Sequence, residues 1–125
     1  MTYTNRMQYG TALATMGNWS YTTYLRGQYK FSKKYVDNLC KKLVRSSRIN
    51  KVFASIEKDK LDEHNHLHLL LDANTELSRY NLSIIGGFNH KGIGNIDRVK
   101  NEVGVAKYVS KHIGKDFSYH NIFIN

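Results

Sequence analysis

The sequence predicts an α+β fold, a central antiparallel sheet with helices packed on one face and the other face left open. Two segments alternate with period two: Val52, Ala54 and Ile56 against Phe53, Ser55 and Glu57, then Leu67, Leu69 and Leu71 against His66, His68 and Leu70. The polar stretch Asp59 to Asn65 between them has hairpin length. Before them, Phe31, Tyr35, Val36, Leu39, Cys40, Leu43 and Val44 recur at helical spacing over Ser32 to Ser46. Strands with one aliphatic face need a partner layer on that face, and a one-faced helix supplies it.

The remaining elements follow in order. The apolar run Gly10 to Met16 reads as an opening strand. Trp19, Tyr21, Tyr24 and Tyr29 then lie among small polar residues with Arg26 and Lys30, a composition that suits base stacking beside phosphates and suits an ordinary strand equally. Ser32 is the expected N-cap of the first helix, and Cys40 falls on its apolar stripe, where it packs. A short helix is expected around Thr75 to Leu82, then turns at Gly86, Gly87, Gly92 and Gly94 flanking a strand over Asn95 to Val99. These glycines lack the Gly-Lys-Ser/Thr ending of a phosphate-binding loop. Asn101 to Gly114 reads as a last helix with Val105, Ala106, Val109 and Ile113 inward and Gly114 as its stop, and Tyr119 to Ile124 as a final strand.

Composition bounds the function. The 125 residues are one domain's worth, so a single domain over 1–125 without a helicase module is expected. No apolar run approaches a membrane span and Met1 to Gly10 is polar, so a cytoplasmic protein without a membrane partner is expected. A single cysteine rules out a thiolate cage, leaving His and carboxylates to hold any metal. The formal net charge is +9, and its basicity is concentrated early: Met1 to Asn50 carries nine Lys and Arg against the single acid Asp37. Such a balance is expected of a protein that meets polyanions, although a solvated basic face is the plainer account.

The chemistry-bearing residues lie on the polar side of the hairpin. His66 and His68 flank Leu67 and share one strand face roughly 7 Å apart, and Glu57 is in reach across the hairpin. Two imidazoles and one carboxylate make a three-ligand divalent site with positions left for substrate oxygens, suited to Mn, and Mg in use, with zinc tolerated. Tyr108 and Lys111 lie one turn apart on the last helix, the cation placed to stabilise the phenol oxyanion.

In this order, the acid at Glu57, the His-hydrophobic-His at His66 to His68 and the Tyr-x-x-Lys at Tyr108 to Lys111, the chain resembles the HUH endonucleases. It is most similar to single-tyrosine replication initiators of phages, viruses and small plasmids. The resemblance covers about the latter two thirds and includes Phe88, His90, Gly92, Ile96 and Val99 ahead of the tyrosine helix. It departs from the family in the opening strand, where Ala14-Thr15-Met16 is the nearest match to the first motif. Gly104 and His112 stand where a second tyrosine would be. The resemblance implies a ferredoxin-like or RRM-like palm. It implies a nickase and joinase that starts rolling-circle or hairpin-type replication: Glu57, His66 and His68 hold Mg or Mn, Tyr108 forms a 5′-phosphotyrosine, and Lys111 helps place the phosphate. Single-stranded origin DNA is the implied partner, with Trp19, Tyr21, Tyr24, Arg26, His90, Lys91 and Lys115 as candidate contacts. Host polymerase and helicase would act beside it, the setting would be the host cytoplasm for a viral protein, and a homodimer is one assembly it admits. His64 would be a spare or supporting group.

Two other readings compete. His64-Asn65-His66-Leu67-His68-Leu69-Leu70 resembles the motif of histidine-triad nucleotide hydrolases, with Asn65 departing from the pattern and Tyr108, Lys111 and Glu57 left without a task. A noncatalytic single-strand binding module would bind DNA without Tyr108 or metal. A transposase of the HUH superfamily is disfavoured because Lys111 stands where its tyrosine helix usually carries glutamine.

Overall fold

The computed structural model describes residues 19–27, 30–58, 65–99 and 117–125. They form β1 (Tyr21–Leu25), α1 (Lys33–Arg45), β2 (Ile49–Lys58), β3 (Asn65–Ala73), α2 (Arg79–Gly86), a 3-10 turn (His90–Gly92), β4 (Asp97–Arg98) and β5 (Phe117–Ile124). The five strands make one antiparallel sheet in the order β4-β1-β3-β2-β5. The succession β1-α1-β2-β3-α2-β4 is the βαββαβ order of the ferredoxin-like motif, with β5 added beside β2.

Local signals explain the boundaries. Ser32 caps α1, its hydroxyl accepting from the Tyr35 N–H, and Lys42 and Arg45 lie in the last turn, where the helix dipole favours cations. The helix expected from Thr75 begins later, at Arg79. Ser78 and Asn81 form a capping box that satisfies both end groups reciprocally, and that arrangement fixes the start. Gly87 closes α2 in the left-handed region at φ 66°, where a Cβ is disfavoured. The strand expected over Asn95 to Val99 shortens to Asp97–Arg98, and the final strand begins earlier, at Phe117.

The aliphatic face forms the core. Val52, Ala54, Ile56, Leu67, Leu69 and Leu71 share one cluster with Val36, Leu39, Cys40, Leu43 and Val44 of α1 and Leu82 of α2. In the hairpin register Val52 faces Leu71, Ala54 faces Leu69 and Ile56 faces Leu67, so the apolar sets meet without slippage. Cys40 is buried in this cluster. Burial first, and the nearby Asp37 carboxylate second, push its thiol up to about 12, so the thiolate that reacts is suppressed at neutral pH. Its role is packing.

The opposite face departs from expectation in one respect. Phe53 and Leu70 face each other there and are fully buried, so the face is covered along its middle rather than open throughout. The cause is visible in the residues, since a phenylalanine opposite a leucine is a pair that water does not favour exposing. Exposure returns toward the end of the strands where His66, Glu57 and Tyr24 lie.

Candidate active site

Paired residues of an antiparallel sheet share a face, so the register assembles the site. Glu57 stands opposite His66, and His68 stands between Ser55 on β2 and Tyr24 on β1. β3 is the middle strand of the five, held on both sides, and Leu67 between the two histidines is fully buried beneath them. The imidazoles therefore project from a braced segment. Their ring centroids are 6.4 Å apart.

Glu57 Oε2 lies 2.7 Å from His68 Nε2, with side chains 29% and 12% exposed. The contact is close but out of line for a hydrogen bond. A carboxylate oxygen and a bare imidazole nitrogen are both acceptors and repel at that range. Nε2 therefore either carries the ring's own proton, as one tautomer of a neutral imidazole does, or shares a cation with Glu57. The donor set, two ring nitrogens and one carboxylate on one partly exposed face, has the composition of a divalent-metal site of mixed nitrogen and oxygen ligation. Among the described residues no group of three such side chains is placed to hold a metal ion, so metal capture requires these side chains to rearrange.

β1 and the segment after α2 supply the rim. The Tyr24 ring is 40% exposed and stands 6.5 Å from the His68 ring, centroid to centroid. The Arg26 guanidinium lies 5.9 Å from the Tyr24 centroid. Gly94 passes so close to Tyr24 that a Cβ there would collide with the ring, and its N–H donates to the Tyr24 carbonyl at 2.8 Å. The Arg26 N–H donates to the Gly92 carbonyl at 2.7 Å, which ties the turn bearing the exposed His90 and Lys91 to the end of β1. Tyr24, Arg26, His90 and Lys91 thus gather at one end of the sheet.

Trp19 and Tyr21 do not join them. Both are 6% exposed, Tyr21 on the core face in phase with Leu25, and Trp19 under the Lys51 ammonium at 4.6 Å. Neither ring offers a face to a base. The expectation that they stack on DNA is corrected accordingly, because strand alternation commits Tyr21 to the interior. Tyr108, Lys111, Lys115 and His64, together with Ala14 to Met16 and the last helix expected over 101–114, lie outside the described residues. Sequence reasoning passed over Ser55, buried opposite His68, and the backbone position of His120, which β5 sets opposite Ser55. Only strand alternation could have pointed to either.

The distinct placements separate two effects. Replacing Tyr24 by Ala is expected to weaken binding of a single-stranded oligonucleotide by about 1–3 kcal/mol, with little change in melting temperature. Replacing Trp19 by Ala should do the reverse, costing about 3–5 kcal/mol of stability. Fluorescence anisotropy and thermal melts on the two variants check this.

No protein-family model matches the chain, and neither a curated protein nor a solved structure matches it. Among the described residues no helix is long and apolar enough to cross a membrane.

Proposed function

We propose that the protein is a metal-dependent nickase and strand transferase acting on single-stranded DNA at a replication origin. The observation that supports this most is the cross-strand grouping of Glu57, His66 and His68 on one sheet face. Glu57, His66 and His68 would hold Mg or Mn. When bound, the cation supplies positive charge to the scissile phosphate and its developing oxyanion.

The chain's own groups do the rest. Tyr24 and Arg26 bind the strand by stacking and by phosphate contact beside the histidines. Leu67 and the flanking strands keep the imidazoles oriented. Tyr108 is the nucleophile: its phenol oxygen forms a bond to phosphorus as the bond from phosphorus to the 3′ oxygen breaks. The phenol proton is given up, and the departing oxygen leaves as a 3′-hydroxyl. The 5′-phosphotyrosine keeps the energy of the broken linkage, so a later 3′-hydroxyl reverses the step and joins strands without ATP. Lys111 steadies the phenolate. A host polymerase would extend the free 3′ end, a host helicase would open the duplex, and a second copy of the chain is an admissible partner. The reaction would take place in the cytoplasm.

The test is covalent capture. The protein is incubated with 5′- and 3′-labelled oligonucleotides of varied sequence and Mn, denatured, and digested for peptide mapping. An adduct carrying the 5′-phosphate side on Tyr108, absent with chelator, supports the reading. Release of nucleoside monophosphate through a histidine adduct would instead favour a nucleotide hydrolase. Binding that is indifferent to metal, with no adduct on any oligonucleotide, would favour a binding module.

A further inference from the structure

A second cationic feature lies on the far side of the sheet, in the helical layer. α1 and α2 enclose a trough of about 430 Å³ lined by Tyr35, Asn38, Lys41, Lys42, Arg45 and the backbone of Gly86 and Gly87. The helices approach closely because Gly86 has no Cβ, which would press on Leu39 Cδ1 at 3.0 Å. Lys41, Lys42 and Arg45 are exposed, and among the described residues none of them makes an ion pair or a hydrogen bond. No carboxylate lines the trough. With Lys34 and Asn38 these cations repeat at helical spacing along α1, and from Lys34 to Arg45 the row runs about 16 Å.

We infer that this trough binds the sugar-phosphate backbone of nucleic acid at a site separate from the Glu57–His66–His68 face. Like charges gathered this closely repel one another, and Asp37, one turn from Lys34 and Lys41 on the same helix, is a single carboxylate against four cations, so a bound anion relieves the excess. The row is longer than a single phosphate and suits several in succession. The exposed Tyr35 ring at the edge gives a sugar or base something to rest on. Nucleic acid held here would lengthen the footprint beyond the few nucleotides that Tyr24 and Arg26 reach.

The experiment measures equilibrium binding of the full chain in chelator, so no cleavage is involved and the result does not depend on Tyr108. The probes are a thymidine oligonucleotide and a duplex of equal length, each titrated over a range of salt. Lys42→Gln with Arg45→Gln is expected to weaken binding roughly tenfold to a hundredfold and to flatten the salt slope by roughly 1.4–1.8. The charge-matched control, Lys33→Gln with Arg48→Gln, removes two exposed cations that do not line the trough, and it should change the slope by less than half as much. A loss on both probes, or a larger one on the duplex, supports the inference and tells which form of backbone occupies the trough. Equal losses in the two double variants overturn it, as does no loss at all. Anionic phosphatidylserine vesicles are the third probe, and a trough-dependent loss confined to them also overturns it. Thermal melts on both double variants ensure that the comparison is between folded proteins.

Discussion

Replacing Tyr108 by Phe is expected to abolish the covalent DNA adduct, at least 10⁴-fold below the parent chain, while oligonucleotide affinity stays within about twofold. The substitution deletes one oxygen and keeps the ring, so it removes the proposed nucleophile and little else. Affinity is preserved because Tyr24 and Arg26, which rim the histidines, are untouched. A demanding control is Tyr24→Phe. Tyr24 is the tyrosine that the described residues place beside His68, and its hydroxyl is a rival nucleophile on proximity alone. It should retain adduct formation, since its assigned task is stacking, which phenylalanine performs. An adduct that survives Tyr108→Phe and disappears in Tyr24→Phe would move the chemistry to β1. One that survives both and maps to a histidine would remove it from tyrosine altogether. Denaturing gels with peptide mapping distinguish the three outcomes.

How much of this could be read from residues alone depends on the range of the interaction. The pairing of Glu57 with His66 was legible, because period-two patterning on both sides of a short polar connection leaves one register that buries Ile56 against Leu67. α1 and its Ser32 cap were legible for the same local reason. The neighbour on the other side of β3 was not. That β1 lies there, bringing Tyr24 to His68, is a choice among strands distant in sequence, and nothing in the Tyr21–Leu25 segment specifies its partner. Gly94 illustrates the limit: as a residue it signals a turn, and only the fold shows that it is the space occupied by the Tyr24 ring. Trp19 and Tyr21 were misassigned because their residue types fit a stacking surface and a core equally. Phase with Leu25 could have decided for Tyr21. The basic trough was invisible for a further reason, since the lysines were evident on α1 but the wall opposite them is α2.

The second large effect is expected from Glu57 and His68 taken together. His68→Ala should lower adduct formation by roughly 10²- to 10⁴-fold, corresponding to the several kcal/mol of charge stabilisation a held cation provides. Glu57→Gln should lower it by a similar factor, since an amide is a weaker ligand and carries no charge. The two should not add. If both groups grip one cation, removing either forfeits most of the benefit, and the double variant should be within about tenfold of the worse single. A purely structural contact predicts otherwise. Its loss would appear as about 1–3 kcal/mol of stability, for a charged partner left behind at a site that is 12% exposed on the histidine side, with Mn affinity unchanged. Calorimetric titration of Mn into the DNA-free protein separates the two independently of turnover: each single variant should bind Mn at least tenfold more weakly, and unaltered Mn binding in both would show that Glu57 and His68 hold each other rather than a metal. His66→Ala completes the set. It faces Glu57 across the hairpin, and a weakening comparable to that of His68→Ala is required if the cation lies among three ligands rather than two.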